Sequence, residues 1–132
     1  MTMGSPAATR PLPALDEADT GPFWRACGEH RLTYQRTATG EVVFYPRQGA
    51  GVETHESAGL GTIYTYTVVR QHGHPFFRAH APYVVAYVDL DEGFRILAEV
   101  DSDPDAVRIG QRVQVAWEDH DGVAVPIFRA VS

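Results

Sequence analysis

Three histidines, His72, His74 and His80, fall within nine residues. On a strand His72 and His74 would share a face, and imidazole nitrogens are good zinc ligands. Gly73 and Pro75 place them in a loop instead, and no carboxylate or cysteine there completes a ligand set. Ser57 and Ser102 lie in loop-like segments without the glycine-flanked elbow of a nucleophilic serine. Cys27 shares a helical pattern with Trp24, which suits a small buried hydrophobe better than a reactive thiolate. Asp89, Asp91 and Glu92 gather at a strand end, where turn chemistry accounts for them. There is no glycine-rich phosphate loop of a known type. The residues therefore predict no catalytic group, no metal and no cofactor.

Bulk composition narrows the ligands. The chain has 132 residues, enough for one domain, and 44% of them are apolar. Its formal charge of -6 repels phosphate. A nucleic-acid binder is the alternative reading: Tyr64, Tyr66, Tyr83 and Tyr87 offer stacking rings, but the acidic balance opposes it. A single cysteine cannot form an intrachain disulfide or a cysteine-rich zinc site, which favours the cytoplasm. Met1 to Pro11 lack the apolar core of a signal peptide, and no run of roughly 18 apolar residues is present. Residues 1–15 are expected to be a flexible tail.

The pattern predicts a short helix first. Asp16, Asp19 and Thr20 offer capping groups, Pro22 suits a first turn, and Gly28 lies near the end. Leu32–Arg36 and Glu41–Tyr45, joined by Thr37-Ala38-Thr39-Gly40, read as a hairpin. Gln48 to Gly51 read as loop. From Gly59 onward five strands follow: Thr62–Arg70, Tyr83–Leu90, Phe94–Val100, Arg112–Glu118 and Val123–Phe128. Turn signals separate them, at Asp91-Glu92-Gly93, Asp101 to Asp105 and His120-Asp121-Gly122. Five strands in so short a span, with no helical pattern long enough for parallel crossovers, predict a small closed β-barrel.

Aromatic residues exceed what such a barrel can enclose. Tyr83, Tyr87, Phe94, Trp117 and Phe128 lie in its strands and are candidates for the interior. Phe23 and Trp24 either pin the helix to the barrel or face a partner. Phe76 and Phe77 are adjacent in a loop or extended segment, so one is expected outside the core. Phe23, Trp24, His74, Phe76 and Phe77 are the candidate partner-binding residues.

The order of these pieces resembles the acyl-CoA-associated OB-fold family, long catalogued as domain of unknown function thirty-five. Phe23-Trp24 is similar to the aromatic pair of its opening helix, and Phe44-Tyr45-Pro46-Arg47 to its Phe-x-Pro-Arg element. Gly59 to Thr67 resembles its first barrel strand. Pro82-Tyr83-Val84-Val85-Ala86-Tyr87-Val88-Asp89-Leu90-Asp91-Glu92-Gly93 resembles its most specific run. Ile109-Gly110 with Val113 and Val115 resembles a later strand.

The resemblance implies a helix and a rubredoxin-like zinc ribbon over residues 16–58, then an OB-type barrel over 59–132. Here the places of the ribbon's two cysteine pairs hold Thr37-Ala38-Thr39-Gly40 and Gln48-Gly49-Ala50-Gly51, so the ribbon is expected to be metal-free. The resemblance also implies a role: a non-catalytic accessory subunit of a thiolase-fold enzyme, such as a thiolase, an acyltransferase or an aldolase of steroid side-chain degradation. In that role the small subunit bridges chains and helps shape an acyl-CoA channel at the shared interface.

Overall fold

A computed structural model describes residues 10–44 and 52–131. The Tyr45-Pro46-Arg47 element and the second former cysteine site, Gln48 to Gly51, lie outside the described residues. The chain is mainly β. Its elements are α1 (Gly21–Gly28), β1 (Thr33–Thr37), β2 (Val42–Val43), β3 (Val52–Glu56), β4 (Leu60–Val69), α2 (Pro75–His80), β5 (Tyr83–Leu90), β6 (Arg95–Val100), β7 (Arg112–His120) and β8 (Val123–Ala130).

β4 to β8 close a barrel in the order β4-β5-β6-β8-β7, with β7 returning to β4. Alternation drives it: Val84, Ala86, Val88 and Leu90 of β5 are buried, as are Ile96, Ala98 and Val100 of β6. All pairs are antiparallel except β6 with β8, which run parallel and register only at Val100↔Phe128. The five-stranded closed barrel has OB-type architecture. Two local devices make it possible. A Cβ on Gly61 would lie 2.6 Å from the Asp89 carbonyl oxygen, so β4 and β5 approach as closely as they do only with glycine there. Asp121 and Gly122 both have positive φ, 48° and 87°, which is the twist a two-residue hairpin between β7 and β8 requires.

β1 forms the centre of a second sheet, β2-β1-β3. The expected hairpin is the β1–β2 pair, with Gln35 opposite Val43. β3 was not expected, because Val52-Glu53-Thr54-His55-Glu56 carries one apolar residue. It is held by backbone register to β1, from Thr33↔Glu56 to Thr37↔Val52.

The two sheets and α1 share one core, in which Phe23, Cys27, Leu32 and Tyr34 join the barrel's interior side chains. An aromatic column ties them. Tyr34 stacks on Phe94 at 5.0 Å, Phe94 on Phe44 at 5.0 Å, and Phe44 meets Phe23 edge-on at 5.5 Å.

Three interior expectations need correction. Tyr87 lies outside the barrel, 44% exposed, because its strand neighbours Ala86 and Val88 take the inward positions. Trp117 is only partly buried and stacks on His30 rather than on a barrel aromatic. Tyr83 is buried, but on the outer face of β5 beneath Phe77 and His80 of α2 rather than inside the barrel. Phe94 and Phe128 are buried in the core as expected.

Candidate partner interface

β6 and β8 meet at a single residue pair, and an open groove of about 520 Å³ lies along that seam. Leu97 and Glu99 of β6 and Val125 of β8 line it, with Trp24 of α1 and Phe77 of α2. α1 reaches the seam because its buried face, Phe23, Ala26 and Cys27, packs toward β8. Trp24 stands a helical step away and meets Phe23 edge-on at 5.0 Å, half-buried.

α2 corrects the expectation of a loop. Pro75 sits in its first turn, and Nδ1 of His74 accepts the Phe76 N–H at 3.1 Å as an N-cap. Nδ1 of His72 accepts the His74 N–H at 3.0 Å. These two histidines therefore shape the backbone. Among the described residues, no group of three or more His, Cys, Asp or Glu side chains is placed to hold a metal.

The helical turn sets Phe76 and Phe77 about 100° apart rather than on opposite sides. Both rings lie against the guanidinium of Arg10, at 4.7 and 5.4 Å. Arg10, within the segment expected as a tail, is thus packed against α2. Arg10 is 9% exposed, donates from Nε to Glu118 at 2.7 Å and from Nη2 to Glu99 at 3.1 Å. His80 pairs with Glu99 at 2.8 Å and His120 with Glu118 at 2.7 Å. Burial opposes charge on Arg10 and Glu118, but their mutual hydrogen bonds prevail. Arg10 is held above the usual arginine range and Glu118 below the usual glutamate range, the latter with help from His120. Tyr83, under Phe77 and His80, is raised by burial and by Glu99.

Of the candidate partner residues, Phe23 is corrected: at 3% exposure it belongs to the core and closes the aromatic column. Trp24, His74, Phe76 and Phe77 are half-buried around the groove and α2. Sequence reasoning missed Arg10, Glu99, Glu118 and His120, and it gave His80 no partner. Their partners lie up to 108 residues apart, so spacing carried no signal.

The nucleophiles are engaged structurally. Burial pushes the Cys27 thiol up to about 12. Ser57 donates to Glu92 at 2.7 Å, and Glu92 also accepts the Ala58 N–H, fixing the entry to β4. Asp89 pairs with Arg95 and Asp91 with Arg112, so the acidic turn forms two separate ion pairs. The Arg112 hydrogen bonds hold Asp91 below the usual aspartate range.

Comparison with known proteins agrees with the barrel. The family described as ChsH2, C-terminal OB-fold domain, matches residues 54–118. A DUF35 domain-containing scaffold protein of Methanothermobacter thermautotrophicus is 36% identical over 76% of this chain and 86% of its own length. A probable enoyl-CoA hydratase alpha subunit of Thermomonospora curvata is 35% identical over 97% of this chain. The 3-oxo-4,17-pregnadiene-20-carboxyl-CoA hydratase alpha subunit of Mycobacterium tuberculosis is 32% identical over 76%. The chain spans 42% and 34% of those two hydratase subunits. A chain of the solved Ltp2-ChsH2(DUF35) aldolase is 32% identical, with a TM-score of 0.77 over 92% of this chain and 98% of that one. From the barrel's strand order and the relatives that this chain nearly covers, it follows that the chain belongs to the DUF35 family.

Proposed function

We propose that this chain is a non-catalytic accessory subunit of a thiolase-fold enzyme acting on acyl-CoA thioesters. An aldolase of steroid side-chain degradation is the leading case. The observation that carries this reading is the likeness to the DUF35 chain of the Ltp2-ChsH2 aldolase along 98% of that chain. The names of the two hydratase relatives point to the same class of substrate, CoA thioesters. The site supports it: the thiol is buried, the serines serve turns, and the open groove at the β6–β8 seam is lined by half-buried aromatics. Trp24, Phe76 and Phe77, with His74 as the cap of α2, are the proposed partner contacts, and acyl-CoA would lie at the shared interface. The working compartment in this reading is the cytoplasm, where a single thiol stays reduced.

The test is co-expression with a thiolase-fold protein encoded beside this chain's gene. A stable complex should co-purify and should turn over an acyl-CoA substrate, while the isolated chain should not. Trp24→Ala and Phe77→Ala should each weaken the complex by about 1–3 kcal/mol with the barrel still folded. Acyl-CoA turnover by the rigorously purified single chain would overturn the accessory role. A chain that binds no thiolase-fold protein would overturn the partnership.

A further inference from the structure

We infer that the outer face of β4, β5 and β6, centred on Tyr87 and Leu97, is a docking face for an apolar surface of the enzyme subunit. The inference rests on the partnership proposed above and extends the interface beyond α1 and α2, onto the barrel wall.

Tyr87 and Leu97 stand opposite each other on neighbouring strands, and Tyr87 stands opposite Thr65 on the other side. They are 44% and 57% exposed. A single exposed leucine needs no explanation. Here an aromatic, a leucine and a threonine form one row across three strands, and the next row holds Thr67 and Val85. Between the rows is a hollow of about 280 Å³. Val85 and Leu97 also line the seam groove, so groove and wall are one continuous surface.

The charges bordering this surface are already matched inside the chain. Asp89 is held by Arg95, whose guanidinium covers the Tyr64 ring at 3.8 Å. Glu99 at the other end is held by Arg10 and His80. An uncharged centre with matched charges at its edge has the composition of an interface core. It gives a phosphate backbone little, because the bordering cations Arg95, Arg10 and His80 are already engaged by Asp89 and Glu99.

The occupant follows from charge and area. A second copy brings another -6 against this chain's -6. These few side chains also fall short of the roughly 800 Å² per partner that a stable interface buries, so the face serves as an extension of the groove. A different chain, already seated in the adjoining groove and apolar where it meets Tyr87 and Leu97, fits both facts.

Leu97→Asp and Tyr87→Asp in the full chain, co-expressed with the thiolase-fold partner, test the inference. Each should weaken the complex roughly tenfold or more, measured by calorimetry, with an unchanged circular dichroism spectrum. Leu97→Met should bind like wild type. If wild type binds and both aspartate variants bind equally well, this inference fails while the partnership stands. If wild type binds no thiolase-fold protein, both fail together. A wild-type chain that sediments as a dimer and becomes monomeric on Leu97→Asp would assign the face to a second copy and overturn the inference. Binding of oligouridylate that Tyr87→Ala abolishes would likewise overturn it.

Discussion

Arg10 and Glu118 lie 108 residues apart in the chain and side by side in the fold. Nε of the guanidinium donates to one carboxylate oxygen at 2.7 Å, and Nη2 reaches the other at 3.2 Å. The same Nη2 holds Glu99, and the ring faces of Phe76 and Phe77 lie against the guanidinium. One side chain thereby connects the segment before α1 to α2, β6 and β7.

Arg10→Ala should cost about 1–3 kcal/mol in urea denaturation, since it strands two partly buried carboxylates. Arg10→Lys should recover only part, because an ammonium cannot span both carboxylates as a planar guanidinium does. The acid limb should change too. Glu118 is held below its ordinary range, so its contribution is present above roughly pH 4.3 and is lost as pH falls through the folded-state value. Arg10→Ala should flatten stability against pH in that acid window. An unchanged acid limb would show that the pair adds nothing.

Cys27 should resist a thiol-specific disulfide reagent in the native state and react fully in urea. Its thiol is buried and pushed up to about 12, so the thiolate is scarce at neutral pH. The sign of the pH effect is opposite to that of Glu118. Stability from the neutral thiol is complete below roughly pH 8.5, the unfolded value, and declines as pH rises toward the folded one. Cys27→Ala should remove this alkaline decline. Rapid labelling of the folded chain would sink the assignment.

Phe94→Ala should loosen the three-stranded sheet from the barrel at a cost of about 3–5 kcal/mol. Phe94 is the middle of the column that joins Tyr34 of β1 to Phe44 and, through it, Phe23 of α1. Chelators should leave the wild-type melting temperature unchanged, and elemental analysis of untagged protein should find well under one zinc per chain. A chelator-induced fall in melting temperature would return attention to metal. An unchanged melting temperature in Phe94→Ala would remove the column from the account.

The barrel was legible because its strands alternate and its turns carry Asp and Gly. The same alternation could have placed Tyr87 correctly. In Tyr83 to Leu90, Asp89 must face water, and strand parity then sends Tyr87 out with it. Tyr83 shares that parity yet is buried, because α2 folds over it through Phe77 and His80. No local pattern announces that cover.

β3 and α2 escaped for different reasons. β3 is held by backbone pairing while most of its side chains face water, so hydrophobic periodicity is silent. α2 has six residues and no buried side chain, too short for a helical period to register. Phe23 was misjudged as surplus because the interior was counted for the barrel alone. The core in fact extends into α1 and β1, which gives that ring a place.

The single pairing of β6 with β8 also sets a timetable for synthesis. β4, β5 and β6 leave the ribosome before β7 and β8 and can form a local meander, but Val84, Ala86 and Val88 then face an unfinished interior. Closure waits for Phe128, 28 residues after its partner Val100. At cellular elongation rates that delay is roughly 1–6 s. For that interval the nascent chain exposes a curved apolar sheet with no lid, and chaperone occupancy should peak there rather than on the finished protein.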